Sequence, residues 1–79
     1  MQVEVRVFAT LRRYMPGLAI GEAKIVQIET GTTLGEIMIN LGLPTNEVKV
    51  IMRNNLQAGH DDLACDGDRV TYIPAVAGG

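Results

Sequence analysis

Tryptophan is absent from this sequence, and cysteine, histidine and phenylalanine occur once each, as Cys65, His60 and Phe8. A single cysteine excludes an internal disulfide and is consistent with a reducing compartment. One histidine, without a serine anywhere in the chain, excludes the usual triad chemistry, and no glycine-rich phosphate loop or metal-ligand spacing is present. No apolar run approaches the roughly 20 residues that span a bilayer, and the opening "MQVEVRVFAT" alternates instead of forming a continuous apolar signal core. Seven basic and nine acidic residues give a formal charge of -2, which offers no electrostatic footprint for a polyphosphate backbone. Nucleic acid and membrane are therefore not expected as partners, and a soluble cytoplasmic protein is the expectation.

What is present is economical. Seventy-nine residues, 47% hydrophobic and 20% charged, make one small globular domain that should fold alone, with little room for a buried catalytic pocket. "VEVRVF" sets Val3, Val5 and Val7 on one side of an extended strand and Glu4, Arg6 and Phe8 on the other. Residues 9 to 23 form a long connection in which Thr10 is a candidate cap for a short turn and Pro16-Gly17 a break. "KIVQIE" reads as a second strand.

The strongest local signal follows. Thr33 and Glu36 form a capping-box pattern, and Leu34, Ile37, Met38 and Leu41 recur at helical spacing, a core-facing stripe. Gly42 and Pro44 should stop that helix near Leu41. "EVKVIMR" reads as a third strand, Asn54-Asn55 as a turn, "LQAG" as a short edge, and Asp66-Gly67-Asp68 as a tight turn into the last strand, "RVTYI". One apolar stripe and one apolar sheet face pack as an α+β layer pair. The expected architecture is a β-grasp, ubiquitin-like fold with a mixed four- to five-stranded sheet on one main helix. Its boundaries are a domain over 1–73 and a flexible Gly-Gly tail over 74–79.

The titratable residues that stand out have plain readings. His60, Asp61 and Asp62 make a polar loop, the rest of a calcium-loop pattern is lacking after Asp66, and the acidic neighbours of Cys65 disfavour its thiolate. If Val5, Val7, Val50 and Tyr72 face the helix, alternation turns Phe8, Ile51 and Ile73 to the opposite side among Arg6, Lys49 and Arg53, an expected partner-binding face.

The ending "PAVAGG" is the remaining anomaly. With 9 glycines in 79 residues, two in succession at the end arise by composition alone about once in eighty. Glycine has no Cβ, so Gly78-Gly79 can pass along a narrow channel and present the α-carboxylate to a reactant. Pro74 stiffens the exit, and Val76 and Ala77 are small. A carboxylate becomes reactive only when activated, for instance as an acyl-adenylate whose leaving group is AMP. No residue of this chain need supply that chemistry.

"VRVFATLRRY", "TTLGEIM", "MRNN", "L..DGDRV" and "IPAVAGG" together resemble the ubiquitin-like sulfur carriers of the MoaD and ThiS type, and most closely the small subunit of molybdopterin synthase. The resemblance covers nearly the whole chain in order. It implies that an activating enzyme using ATP and magnesium adenylates Gly79, which is then converted to a thiocarboxylate. It also implies a non-enzymatic carrier without bound cofactor or metal, whose tail enters the large subunit of molybdopterin synthase or, in the thiamin branch, thiazole synthase. Gly78 and Gly79 match the reactive tail, and Phe8 matches an aromatic position on the partner-facing sheet. Ala75 stands where a second proline is usual, and Asn54-Asn55 where Asn-Gly is expected. A thiamin-type carrier and a ubiquitin-like protein modifier are the alternatives.

Overall fold

The computed structural model describes residues 1–75. Five strands and one α-helix follow in chain order. Strand β1 is Gln2–Val7, β2 Lys24–Gln27, β3 Val48–Arg53, β4 Leu56–Ala58 and β5 Arg69–Pro74, with α1 at Leu34–Asn40. Two 3-10 helices, Ala9–Tyr14 and Thr45–Glu47, fill the connections. The sheet order is β2-β1-β5-β3-β4, antiparallel throughout except for the central β1/β5 pair, which is parallel. This is the expected β-grasp arrangement, with the last strand inserted beside the first.

The helix forms where its sequence signals place it. Thr33 Oγ1 accepts from the Glu36 amide at 3.1 Å and the Glu36 carboxylate accepts from the Thr33 amide at 3.0 Å, completing the capping box. Leu34 N and Gly35 N donate to the carbonyls of Asp62 and His60, so the 59–64 loop supplies the remaining partners of the first turn. At the other end Gly42 adopts φ 82°, and Gly42 N and Leu43 N return to Ile39 O and Met38 O in a Schellman closure that buries Leu43. Leu34, Ile37 and Met38 are buried against Val3, Val5, Val7, Val70 and Tyr72, and Leu41 packs at the margin.

The first connection differs from its sequence reading. Phe8, with extended dihedrals, is the residue preceding the 3-10 helix, and Thr10 lies inside it instead of capping it. That helix buries Leu11 completely, while Arg13 and Tyr14 both bond the carboxylate of Glu47 and so tie it to the entry of β3.

Asp66 and Asp68 belong to turns. Asn54 and Asn55 both have positive φ, 51° and 71°, the geometry of a two-residue hairpin between β3 and β4. Asp68, buried, accepts from Cys65 N and Asn54 Nδ2, and Asp66 accepts from Gln2 N. The Asp66-Gly67-Asp68 segment is thus a structural turn docked on β1. Among the described residues no cluster of His, Cys, Asp and Glu could hold a metal ion, and no helix is long and apolar enough to cross a membrane.

Candidate functional site: the open sheet face and the end of strand β5

The sheet has one face on the helix and one open face. On β1 the alternation is regular: Val3, Val5 and Val7 are buried, so Glu4 and Arg6 point outward. The parallel register sets Glu4 beside Arg69 and Arg6 beside Thr71. Val70 and Tyr72 are completely buried, so Thr71 and Ile73 share the open face. The hydroxyl of Tyr72 donates to Leu34 O beneath it, and burial pushes its pKa well above the ordinary tyrosine value.

Strand β3 does not keep step. Val48 stands opposite Pro74, but Val50 stands opposite Ile73, so Val48-Lys49-Val50 spans one residue too many and forms a bulge. An extra residue exchanges the two faces downstream. Ile51 therefore lies opposite Tyr72 and is 2% exposed, a core residue. Its expected place on the partner-binding face is corrected, and so is the expected burial of Val50, which takes that place. Met52 follows on the open face beside Thr71. Arg53 is corrected as well: it pairs with Val70 on the helix side, and its guanidinium donates to Leu63 O at 2.7 Å. Lys49, the bulged residue, is exposed.

The open face thus carries Ile73, Val50 and Met52, all half-buried, with Thr71 beside Met52 and Arg6 next to Thr71 on β1. Phe8 continues the outward alternation of β1, is 47% exposed, and donates its amide to Tyr72 O at 3.2 Å. Ala9 then turns the chain away with φ 50°, a left-handed conformation that alanine seldom adopts. Phe8 and the 84%-exposed Ile20 flank a shallow cleft of ≈ 350 Å³ that also touches Arg12 and Gly21. Arg6 holds this rim: its Nε donates to Gly21 O, and its guanidinium lies 3.8 Å from Glu4, whose same oxygen is 3.8 Å from Arg69. One carboxylate between two guanidiniums leaves the face weakly basic, and such exposed pairs contribute little to stability.

β5 is the central strand and ends here. Pro74 is buried opposite Val48, and Ala75 is exposed. The expected recognition and reactive residues Val76, Ala77, Gly78 and Gly79 lie outside the described residues. Of the expected face, the structure brings together Phe8, Ile73 and Arg6 and removes Ile51 and Arg53. Sequence reasoning missed Val50 and Met52, whose exposure depends on the bulge, and Ile20, which lies in the irregular connection between β1 and β2. His60 and Cys65 lie on exposed loops outside this face, and Cys65 is a free thiol.

The sequence profile of the family described as "Mut7-C ubiquitin" matches residues 1–78. No curated protein sequence matches the chain. Among solved structures, the Haloferax volcanii HVO 2177 protein is similar at 28% identity and TM-score 0.75, with all of this chain and 87% of that one covered. SAMP1 from the same organism is similar at 20% identity and TM-score 0.73, with both chains fully covered. A complex of subunits 1 and 2 of molybdopterin-converting factor from Helicobacter pylori contains a chain similar at 22% identity and TM-score 0.63, again with both chains fully covered. At these identities the second and third likenesses speak to the fold.

Proposed function

Because this chain belongs to the Mut7-C ubiquitin family and folds as a β-grasp, we propose that it is a protein carrier whose working group is the α-carboxylate of Gly79. In this reading an activating enzyme binds the open face, and the carboxylate attacks the α-phosphorus of ATP, with magnesium held by that enzyme. Pyrophosphate leaves and an acyl-adenylate remains. A persulfide of the sulfur donor then displaces AMP, a thiol cleaves the resulting acyl disulfide and is left in a disulfide with the donor, and the product is a thiocarboxylate that delivers sulfur to the synthase making molybdopterin. The residues after Pro74, which ends β5, act as the tail that enters each partner's active site, with Gly78, Ala77 and Val76 read along the channel. The carrier itself supplies no catalytic side chain.

One observation carries this reading. The central strand, whose Tyr72 carbonyl accepts from the Phe8 amide, brings the chain to Pro74 and Ala75 at its end, and the Gly-Gly sequence follows within five residues. The apolar band of Ile73, Val50 and Met52 adjoins the same strand end, so a partner that grips the band also receives the tail.

A second reading is favoured by the fold-level likeness to a small archaeal modifier protein: the activated Gly79 is captured by a lysine amine of another protein. A thiamin-branch carrier differs from the leading reading only in the acceptor. Intact-mass measurement after incubation with an activating enzyme, ATP and a sulfur donor separates the classes. Exchange of one oxygen for sulfur at the terminus is the expected result, and a branched peptide adduct would favour the modifier. No change in mass, or unchanged modification of a chain lacking Gly79, would overturn both.

A further inference from the structure

The other end of the sheet offers a second surface, two strands away from the tail and independent of the function proposed above. Among the described residues β2 is an edge strand, paired only with β1. Its pairing is settled by the bonds that Met1 and Ile28 exchange: Ile28 N donates to Met1 O at 2.8 Å and Met1 N to Ile28 O at 3.2 Å. In an antiparallel ladder every second residue makes such a pair, so Val26 and Lys24 also turn their main chain toward β1. Ile25 and Gln27 therefore direct their N–H and C=O groups away from the sheet, four strand-forming groups along a free edge.

A groove runs beside this edge, between β2 and α1, with a volume of ≈ 510 Å³. Its floor is apolar, from Val26, Ile28 and Ile37, and its rim carries Glu29, Glu36 and Asn40. No basic residue lines it. Glu29 is exposed and its carboxylate makes no hydrogen bond or ion pair among the described residues, and Glu36 uses one carboxylate oxygen in the capping box. Lys24 guards only the far end of the strand.

From these features we infer that the β2 edge and its groove accept an extended segment of a partner protein. That segment alternates apolar side chains and carries Lys or Arg where it passes Glu29 and Glu36. It adds as a sixth strand: Ile25 and Gln27 supply the main-chain bonds, alternate apolar residues descend between β2 and α1, and the basic residues meet the rim. The unpaired edge and the one-signed rim are separate properties of the same strip, and together they exclude an acidic segment and a helical one.

The test uses the full chain, ¹⁵N-labelled, and two synthetic peptides of eight residues. Both alternate isoleucine with threonine; one ends in two arginines, the other in two glutamates. The arginine peptide should shift the amide resonances of Ile25, Gln27 and Asn40 and slow hydrogen exchange at Ile25 and Gln27. Gln27→Pro removes one outward N–H without touching the β1 ladder and should weaken binding about tenfold. Glu29→Lys, on the exposed rim, should erase the preference for arginine over glutamate, and it keeps the proposal testable if the proline variant fails to fold. Equal binding of the two peptides, shifts centred on Phe8 and Ile73, no shifts at millimolar peptide, or occupation of the edge by a second copy of the chain would each overturn the inference.

Discussion

The phenolic oxygen of Tyr72, in the centre of the sheet, lies 2.7 Å from the main-chain oxygen of Leu34 in the first turn of the helix. This one bond joins the strand that leads to the tail to the layer beneath it. Tyr72 is fully buried, and that burial raises its pKa above 10.

The consequence for pH is directional. Below pH 10 both folded and unfolded chains keep the proton, and the contribution is complete. Above it the unfolded tyrosine ionises while the folded one does not, so stability should fall by about 1.4 kcal/mol per pH unit until the folded group also titrates. Tyr72→Phe should lose about 1 kcal/mol at neutral pH and flatten this part of the alkaline slope, as measured by urea unfolding at successive pH values. An unchanged slope in the variant would contradict the assignment.

The bulge in β3 makes a prediction that regular alternation would reverse. Ile51→Ala should cost about 2–4 kcal/mol as a buried truncation, and Val50→Ala under about 1 kcal/mol as a surface one. Thermal or denaturant unfolding of the two variants decides which residue is inside.

Gly35 sits where the helix meets the 59–64 loop. A Cβ built there would lie 3.0 Å from His60 O and 3.2 Å from His60 Cβ, so the loop backbone would have to give way. Gly35→Ala should destabilise by about 1–2 kcal/mol despite the better helix propensity of alanine. Adding His60→Gly should recover only part of the loss, since the nearest atom belongs to the main chain; double-variant melting measures this.

Phe8 and Ile73 test the open face as a docking surface. Phe8→Ala or Ile73→Asp should leave the unfolding free energy within about 1 kcal/mol of the parent and reduce the rate of terminal activation by about tenfold or more, a hot-spot effect. Activation at the parental rate in both variants would remove the face from the proposal.

Much of this was legible because it is local. The capping box at Thr33 and Glu36, the stop at Gly42, and the Asn54-Asn55 turn each depend on residues within a few positions, and each formed as the residue types dictate. The alternation of Val3, Val5 and Val7 likewise needed only its own strand. Ile51 and Arg53 went astray because their orientation is decided by strand β5, twenty residues away, through a bulge that has no composition of its own: Lys49 looks like any outward strand residue. The free edge of β2 was equally invisible, since it depends on which strand the chain chooses not to place there.

The parallel pairing of β1 with β5 has a bearing on biosynthesis. Strand β1 must wait for β5 before the middle of the sheet can close, so the fold has a high contact order and cannot be completed piecemeal. A product cut short before Arg69 lacks its own centre and should be cleared by proteolysis. The centre of the sheet is therefore complete only once β5, the strand that carries Ile73 and Pro74, has joined β1, which couples the order of the open face to the most distant pairing in the fold.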